Sequence, residues 1–439
     1  MSHRSEDRLV KSLVGAVALL VVTVVILGFL VVDLRSDVED LGARPRAPGA
    51  AATTGGGGTT LDASVDESLE DLRRCFNRAL ENSFEDFYRY VFGSETPPGV
   101  DKIVETCGAL STTIKPTVYH GKLDFPVDMA WVPGTNIIFF TEKATGRVRV
   151  MHGRKLVSEP CATLTTSAEG ERGTLGIALD PDYENNGYLY VFYTHAAPEE
   201  NRVVRFTVQG DRCTAPKTLV TIAPLDSTLH NGGQLEIVGD KLFVSVGDGY
   251  TNPDLAQDQA GLFGKVLRYN LDGSIPEDNP FEGDGGPSPV WSFGHRNPFG
   301  LGYDPSTGRL YATDNGPDCD DELNVIEKGV NYGWGAGYEC GSKGLGPSPR
   351  GPLVSWTPPI VPTDLWFYSG VTEELAGHLY MGDFGAGKLH QFQLSPDGDD
   401  VVKEEIVYDS PSQIVDVSEG PKGLLYFLTP DSIYRFVEE

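Results

Sequence analysis

Basic side chains are scarce in this chain of 439 residues: 35 Lys and Arg stand against 63 Asp and Glu, a formal charge of −28. A nucleic-acid ligand needs clustered Lys and Arg to neutralise phosphates, so that class of partner is excluded. No Walker loop, nucleophile elbow or zinc-type Cys/His spacing occurs, which removes P-loop phosphoryl transfer, α/β-hydrolase chemistry and structural zinc. Asn-x-Ser/Thr glycosylation acceptors are absent as well. Six cysteines are too sparse for a disulfide-built scaffold, though their even number permits pairs. With 40% apolar residues and a single long apolar run, the chain is neither disordered nor polytopic. Abundant instead are 52 Gly and 30 Pro, which favour short strands and frequent turns over long helices.

The apolar run is Ser12 to Val32, 21 uncharged residues or roughly 30 Å as a helix, enough to cross a bilayer. Arg4, Arg8 and Lys11 precede it, while Asp33, Asp37, Glu39 and Asp40 follow. The positive-inside rule then predicts a cytoplasmic tail (1–11), a single-pass anchor (12–32) and an extracytoplasmic body. A cleaved signal peptide is the competing reading; its apolar region is normally shorter. Residues 33–60, rich in Gly, Pro and Thr, read as a flexible linker. Apolar residues from Val65 to Val91 recur at steps of three and four, so 61–119 reads as a helical segment, with Cys75 and Cys107 placed to bridge it.

From residue 120 to 439 the pattern becomes short β runs joined by Gly/Pro/Asp turns. Ile137-Ile-Phe-Phe-Thr141, Gly187-Tyr-Leu-Tyr-Val191, Lys241-Leu-Phe-Val-Ser245, Gly308-Arg-Leu-Tyr311, Gly377-His-Leu-Tyr-Met381 and Gly423-Leu-Leu-Tyr-Phe427 are variations on one unit. Six such units predict an all-β, six-bladed propeller, whose radial closure protects strand edges. A β-sandwich would leave the repetition unexplained.

Three loop clusters carry residues with chemistry. His230-Asn-Gly-Gly-Gln234, followed on the next strand by Asp248, offers an Asp-oriented general base. Gly294-His-Arg-Asn-Pro-Phe-Gly300 contains Arg296, whose planar fork suits an anion or developing negative charge. Asn315-Gly-Pro-Asp-Cys-Asp-Asp-Glu-Leu-Asn324 supplies Asp318, Asp320, Asp321, Glu322 and turn carbonyls, hard oxygen ligands suited to calcium without EF-hand spacing. A capping His, a loop-tying Arg and a solvated acidic loop are the corresponding structural roles.

In order, Glu171-Arg-Gly-Thr-Leu-Gly176, His230-Asn-Gly-Gly-Gln-Leu235, Leu262-Phe-Gly-Lys-Val-Leu-Arg268, His295-Arg-Asn-Pro-Phe-Gly300, Asp320-Asp-Glu-Leu-Asn324 and Asn331-Tyr-Gly-Trp334 form one series. Over roughly residues 120–437 the chain resembles the glucose/sorbosone dehydrogenase family of quinoproteins, including aldose sugar dehydrogenases and a Hedgehog-interacting-protein-like branch. The resemblance implies a propeller that binds pyrroloquinoline quinone (PQQ) and calcium and oxidises a sugar at its anomeric carbon, passing electrons to an acceptor the sequence does not identify. It assigns His230 as base, Asp248 as its orienting partner, and Arg296 with Asn297 as contacts to quinone or developing charge. Gln234, Asn315 and Lys388 join the expected cofactor set. Carbonyls of Gly316 and Pro317 are the expected ligands of a catalytic calcium, Glu322 and the Tyr332 carbonyl those of a structural calcium site, and Asp321 completes the expected metal set.

The family pattern departs at three positions. A lysine expected in a late blade is Gly385, with Lys388 nearby, and an Arg-x-Arg pair expected in the last blade is Gln413 and Val415. These segments resemble the Hedgehog-interacting branch, in which the propeller serves as a non-catalytic binding module. Outside the membrane, Cys319–Cys340 around the acidic loop and Cys161–Cys213 across the second unit are the expected disulfides.

Overall fold

The strand Ile137–Glu142 is buried on both faces in this protein, and the sequence shows why. Phe139 and Phe140 are neighbours on one strand, so they point to opposite faces, and each packs into a different apolar cluster. A strand buried on both faces needs a near-continuous apolar run, which is what Ile137-Ile-Phe-Phe140 provides.

The computed structural model describes residues 114–222, 227–283, 286–372 and 374–438. They form the expected six-bladed propeller of four-stranded antiparallel sheets. Blade 1 runs Pro126–Trp131, Ile137–Glu142, Arg147–His152 and an outer edge shared by Lys155–Leu156 and Ala162–Thr163. Blade 2 is Thr174–Leu179, Tyr188–Ala196, Glu199–Gln209 and Arg212–Ile222. Blade 3 is Leu235–Val238, Lys241–Val246, Lys265–Asn270 and Val290–Phe293; blade 4 is Pro298–Asp304, Arg309–Asp314, Asp321–Ile326 and Val354–Trp356. Blade 5 is Pro362–Tyr368, His378–Asp383, Lys388–Leu394 and Val401–Asp409. In blade 6, Asp416–Glu419, Leu425–Thr429 and Ser432–Glu438 are completed by Ile114–Gly121, an edge strand from the opposite end of the ring. That strand moves the boundary: the propeller takes in residues 114–119, which the sequence pattern placed in the helical segment 61–119. Its partner lies more than 300 positions away, beyond any local signal.

The repeated unit is the second strand of each blade, and its leading glycine is the hairpin turn. Gly187, Gly308, Gly377 and Gly423 all have φ between 64° and 79°, backbone that glycine adopts without steric cost. The first strands face a central channel and do not form a sheet with one another, so some of their N–H groups need other acceptors. Channel carboxylates supply them. Asp128 of blade 1 accepts from Ile177 N of blade 2 at 2.7 Å, Asp416 of blade 6 from Met129 N of blade 1 at 3.0 Å, and Asp364 of blade 5 from Leu301 N of blade 4 at 3.3 Å.

Two disulfides pair as expected. Cys161–Cys213 joins blade 1 to the outer strand of blade 2, and Cys319–Cys340 closes the acidic loop of blade 4. The expected tail, anchor, linker, most of the helical segment and the Cys75–Cys107 pair lie outside the described residues. Among the described residues no helix is long and apolar enough to cross a membrane.

Candidate functional site

His230 sits in the loop that enters blade 3, in left-handed backbone with φ 56°. That conformation costs a non-glycine residue about 1–2 kcal/mol, so the surroundings must hold it. They do: its amide donates to Glu171 Oε2 at 2.8 Å, and its ring meets Asp248 Oδ1 at 2.6 Å through Nδ1. A carboxylate only accepts, so Nδ1 carries the hydrogen and Nε2 keeps the lone pair. Both side chains are buried. Asp248 is fully engaged, with Oδ1 also accepting from Tyr250 N and Oδ2 from Trp334 Nε1, each at 2.7 Å.

Arg296 and Asn297 lie where blade 3 passes into blade 4. Asp314, at the end of the second strand of blade 4, accepts both their amides, at 3.2 and 2.7 Å, and is met by buried His295 through Nδ1 at 3.1 Å. Arg296 Nη1 donates to the Asn315 carbonyl at 2.7 Å, and its guanidinium stands 5.4 Å from the Trp334 ring centre. Asn297 Nδ2 donates to Glu171 Oε2 at 3.1 Å. One carboxylate oxygen of Glu171 therefore holds both the His230 loop and Asn297. The structure brings His230, Asp248, Arg296, Asn297 and Asn315 into one connected network.

The acidic loop folds around a small cavity of about 20 Å³ lined by Asp314, Gly316, Pro317, Asp320, Glu322 and Tyr332, among others, and bordering Arg296. Gly316 is required there, because a Cβ would lie 2.0 Å from the Cys319 carbonyl oxygen. Burial, and then the nearby Asp314 charge, push Glu322 up to about 8. Buried Asn315 Oδ1 and Asn324 Oδ1 have no hydrogen-bond partner among the described residues. Carboxylates and turn carbonyls around this small cavity are the hard oxygen donors that calcium takes. The residues present fit that ion. Asp321 stands apart from the cavity: Oδ1 accepts from Gly316 N at 2.8 Å, and Oδ2 from Ile360 N and Val361 N at 2.7 Å each. Its carboxylate ties the loop to blade 5, with its acidity weakened chiefly by burial.

Gln234 lies away from this network, lining a central channel cavity of about 210 Å³ with Asp128, Glu236, Asp364 and Asp416. Half-buried Lys388 opens the third strand of blade 5 opposite Asp409. Gly385 stands exposed where the family pattern expects a lysine, and a Cβ there would sit 2.6 Å from the Ile360 carbonyl oxygen, so any side chain requires the backbone to shift. Val415 is buried in the apolar core, and Gln413 is exposed. The site therefore offers a quinone calcium ligands, Arg296 and Asn297, without the three cations expected against its carboxylates.

The Glucose / Sorbosone dehydrogenase family model matches residues 123–436. The chain belongs to the glucose/sorbosone dehydrogenase family. It is 30% identical to the aldose sugar dehydrogenase YliI of Escherichia coli over 74% of this chain and 92% of that protein. The PQQ-bound aldose sugar dehydrogenase of Streptomyces coelicolor superposes with a TM-score of 0.64 and 27% identity, over 75% of this chain and 99% of that one. A shorter stretch is 32% identical to mouse Hedgehog-interacting protein, covering 38% of this chain and 28% of that protein.

Glu171, Asp314 and Trp334 are the site residues that motif reading left unassigned. Each lies inside a family motif or at the end of a repeated strand, but its partner comes from another blade or, for Asp314, from the passage between blades 3 and 4.

Proposed function

We propose that this protein oxidises an aldose at its anomeric carbon, using PQQ and calcium, from an extracytoplasmic propeller tethered by residues 12–32. The observation that carries the reading is the buried His230–Asp248 pair, with Nε2 left as the basic nitrogen and Arg296 and Asn297 wired to the same network. In this reading the C1 hydroxyl of the sugar gives its proton to His230 Nε2 as the C1 hydride leaves, producing the lactone. Asp248 holds the tautomer and offsets the imidazolium charge that forms. Arg296 faces the oxygen on which negative charge develops. The quinone, when bound, would supply the two-electron acceptor, and a calcium held by the carbonyls of Gly316 and Pro317 would polarise it. Turnover would need a separate electron acceptor.

The test is optical titration of PQQ into calcium-loaded protein, followed by dye reduction across an aldose panel. Saturable binding, with turnover lost in His230→Ala, supports the reading; neither binding nor dye reduction overturns it. Glycine at 385 in place of the expected lysine and the buried Val415 favour a second reading, a non-catalytic extracellular binding propeller that keeps the acidic loop for structure. Micromolar quinone affinity in that titration rules the second reading out.

A further inference from the structure

Six large apolar side chains are exposed among the described residues, and Tyr250 is the one aromatic among them, 53% open to solvent. It is also one of the few non-glycine residues in left-handed backbone, with φ 66° directly after Gly249 at 74°. Exposed aromatic surface gains nothing from folding, and the backbone there carries a steric cost. Two features nonetheless hold the ring in one place. The Tyr250 amide donates to Asp248 Oδ1 at 2.7 Å, the same oxygen that meets His230 Nδ1. The ring stands perpendicular to the His230 imidazole, with centres 5.0 Å apart and an interplanar angle of 85°. The network that aims the base therefore also aims an open aromatic ring beside it.

A pyranose carries hydroxyls around its rim and C–H groups on its faces. An aromatic π face is electron-rich and binds such C–H groups while the hydroxyls stay hydrated. We propose that Tyr250 is the stacking platform for the sugar ring, placing C1 next to His230 Nε2 and selecting substrates with an unbroken C–H face. This inference rests on the aldose reading above, and it assigns substrate contact to a residue that lies outside all six family motifs.

The test uses the full chain in detergent micelles, calcium-loaded, with glucose and xylose as probes. Saturation-transfer NMR without quinone reads sugar binding, and steady-state dye reduction with quinone reads KM and kcat separately. Tyr250→Ala and Tyr250→Gly should raise KM about fivefold with kcat within about twofold, the loss of one aromatic stacking contact. Both should also lose transfer to the sugar C–H protons, whereas Tyr250→Phe should match the native protein in both measurements. Tyr250→Gly should at the same time raise Tm, because glycine relieves the left-handed backbone; a merely structural tyrosine would lose stability instead. Unchanged KM and unchanged transfer in Tyr250→Ala overturn the proposal. So does a fall in kcat at constant KM, which would make Tyr250 a support for His230 and not a sugar contact. If the native protein neither binds nor oxidises either sugar, the aldose reading falls and the platform with it; sugar oxidation by the native protein with an indifferent Tyr250→Ala sinks the platform alone.

Discussion

The indole N–H of Trp334 donates to Asp248 Oδ2 at 2.7 Å, on the carboxylate oxygen opposite the one that holds His230. Asp248 follows the second strand of blade 3, whereas Trp334 comes from the long connection before the outer strand of blade 4. The orientation of the His230 imidazole therefore depends on two blades. A carboxylate pinned on both oxygens cannot rotate away from the imidazole, and its charge stays where an imidazolium would form.

Trp334→Phe removes that N–H and keeps an aromatic ring under Arg296. A hydrogen bond to a charged group is worth about 1.5–3 kcal/mol, so kcat/KM should fall roughly ten- to a hundredfold. The pH profile of kcat should shift as His230 loses a fixed partner, while Tm changes little. Steady-state kinetics from pH 5 to 9 check this, and an unchanged profile would separate Trp334 from the base.

Glu322 is pushed up to about 8, first by burial and then by Asp314. Calcium must displace that proton, so affinity should rise with pH through the neutral range and level off above about 8. The slope should not exceed about tenfold per pH unit for the one proton. Glu322→Gln should weaken binding and flatten the slope. Calorimetric calcium titrations at pH 6, 7 and 8 measure both effects.

In the channel, Asp128, Asp364 and Asp416 are each raised well above the usual carboxylate range by burial, and next by one another's charge. Glu236 is pushed up to about 8 by burial. The native state thus keeps protons that the unfolded chain gives up above about pH 4. Protons bound by the native state alone make stability fall as pH rises, so chelator-treated protein should melt lower at pH 8 than at pH 5. Asp416→Asn keeps an acceptor for Met129 N and removes one charge. It should recover about 1–2 kcal/mol at pH 8 and almost nothing at pH 4, as thermal melts at the two pH values would show.

Cys319 and Cys340 close a loop with a sequence separation of 21. Cys319→Ser with Cys340→Ser should cost about 2–3 kcal/mol in denaturant unfolding. Asp320 also pins the loop, accepting from Tyr338 Oη at 3.0 Å and Thr357 Oγ1 at 3.0 Å. The cavity should therefore survive, and calcium affinity should fall less than stability does.

Six blades were legible because a propeller repeats a local solution. Each second strand is apolar on both faces and follows a tight turn, so Gly187-Tyr-Leu-Tyr and Gly377-His-Leu-Tyr look alike before any contact is known. His230 and Asp248 were legible for a similar reason, since one hairpin separates them. The edge strand Ile114–Gly121 was not, because its pairing partner is Ser432–Glu438 at the far end of the chain. Nor was the use of Asp128, Asp364 and Asp416, each on a first strand whose bond runs to the neighbouring blade or whose charge faces another blade across the channel.

Blade count, strand character and the placing of His230 and Asp248 at the two ends of one hairpin follow from local pattern and chain order, because turn sterics and side-chain alternation act over a few residues. What Glu171, Trp334, Asp314 and Tyr250 do follows from ring closure, because only the radial packing of blades brings a carboxylate from blade 2, an indole from blade 4 and an open phenol ring around one imidazole. The backbone around Gly385 belongs to the same level: the chain order shows a missing lysine there, and the Ile360 carbonyl 2.6 Å from its would-be Cβ shows that any side chain requires the backbone to shift.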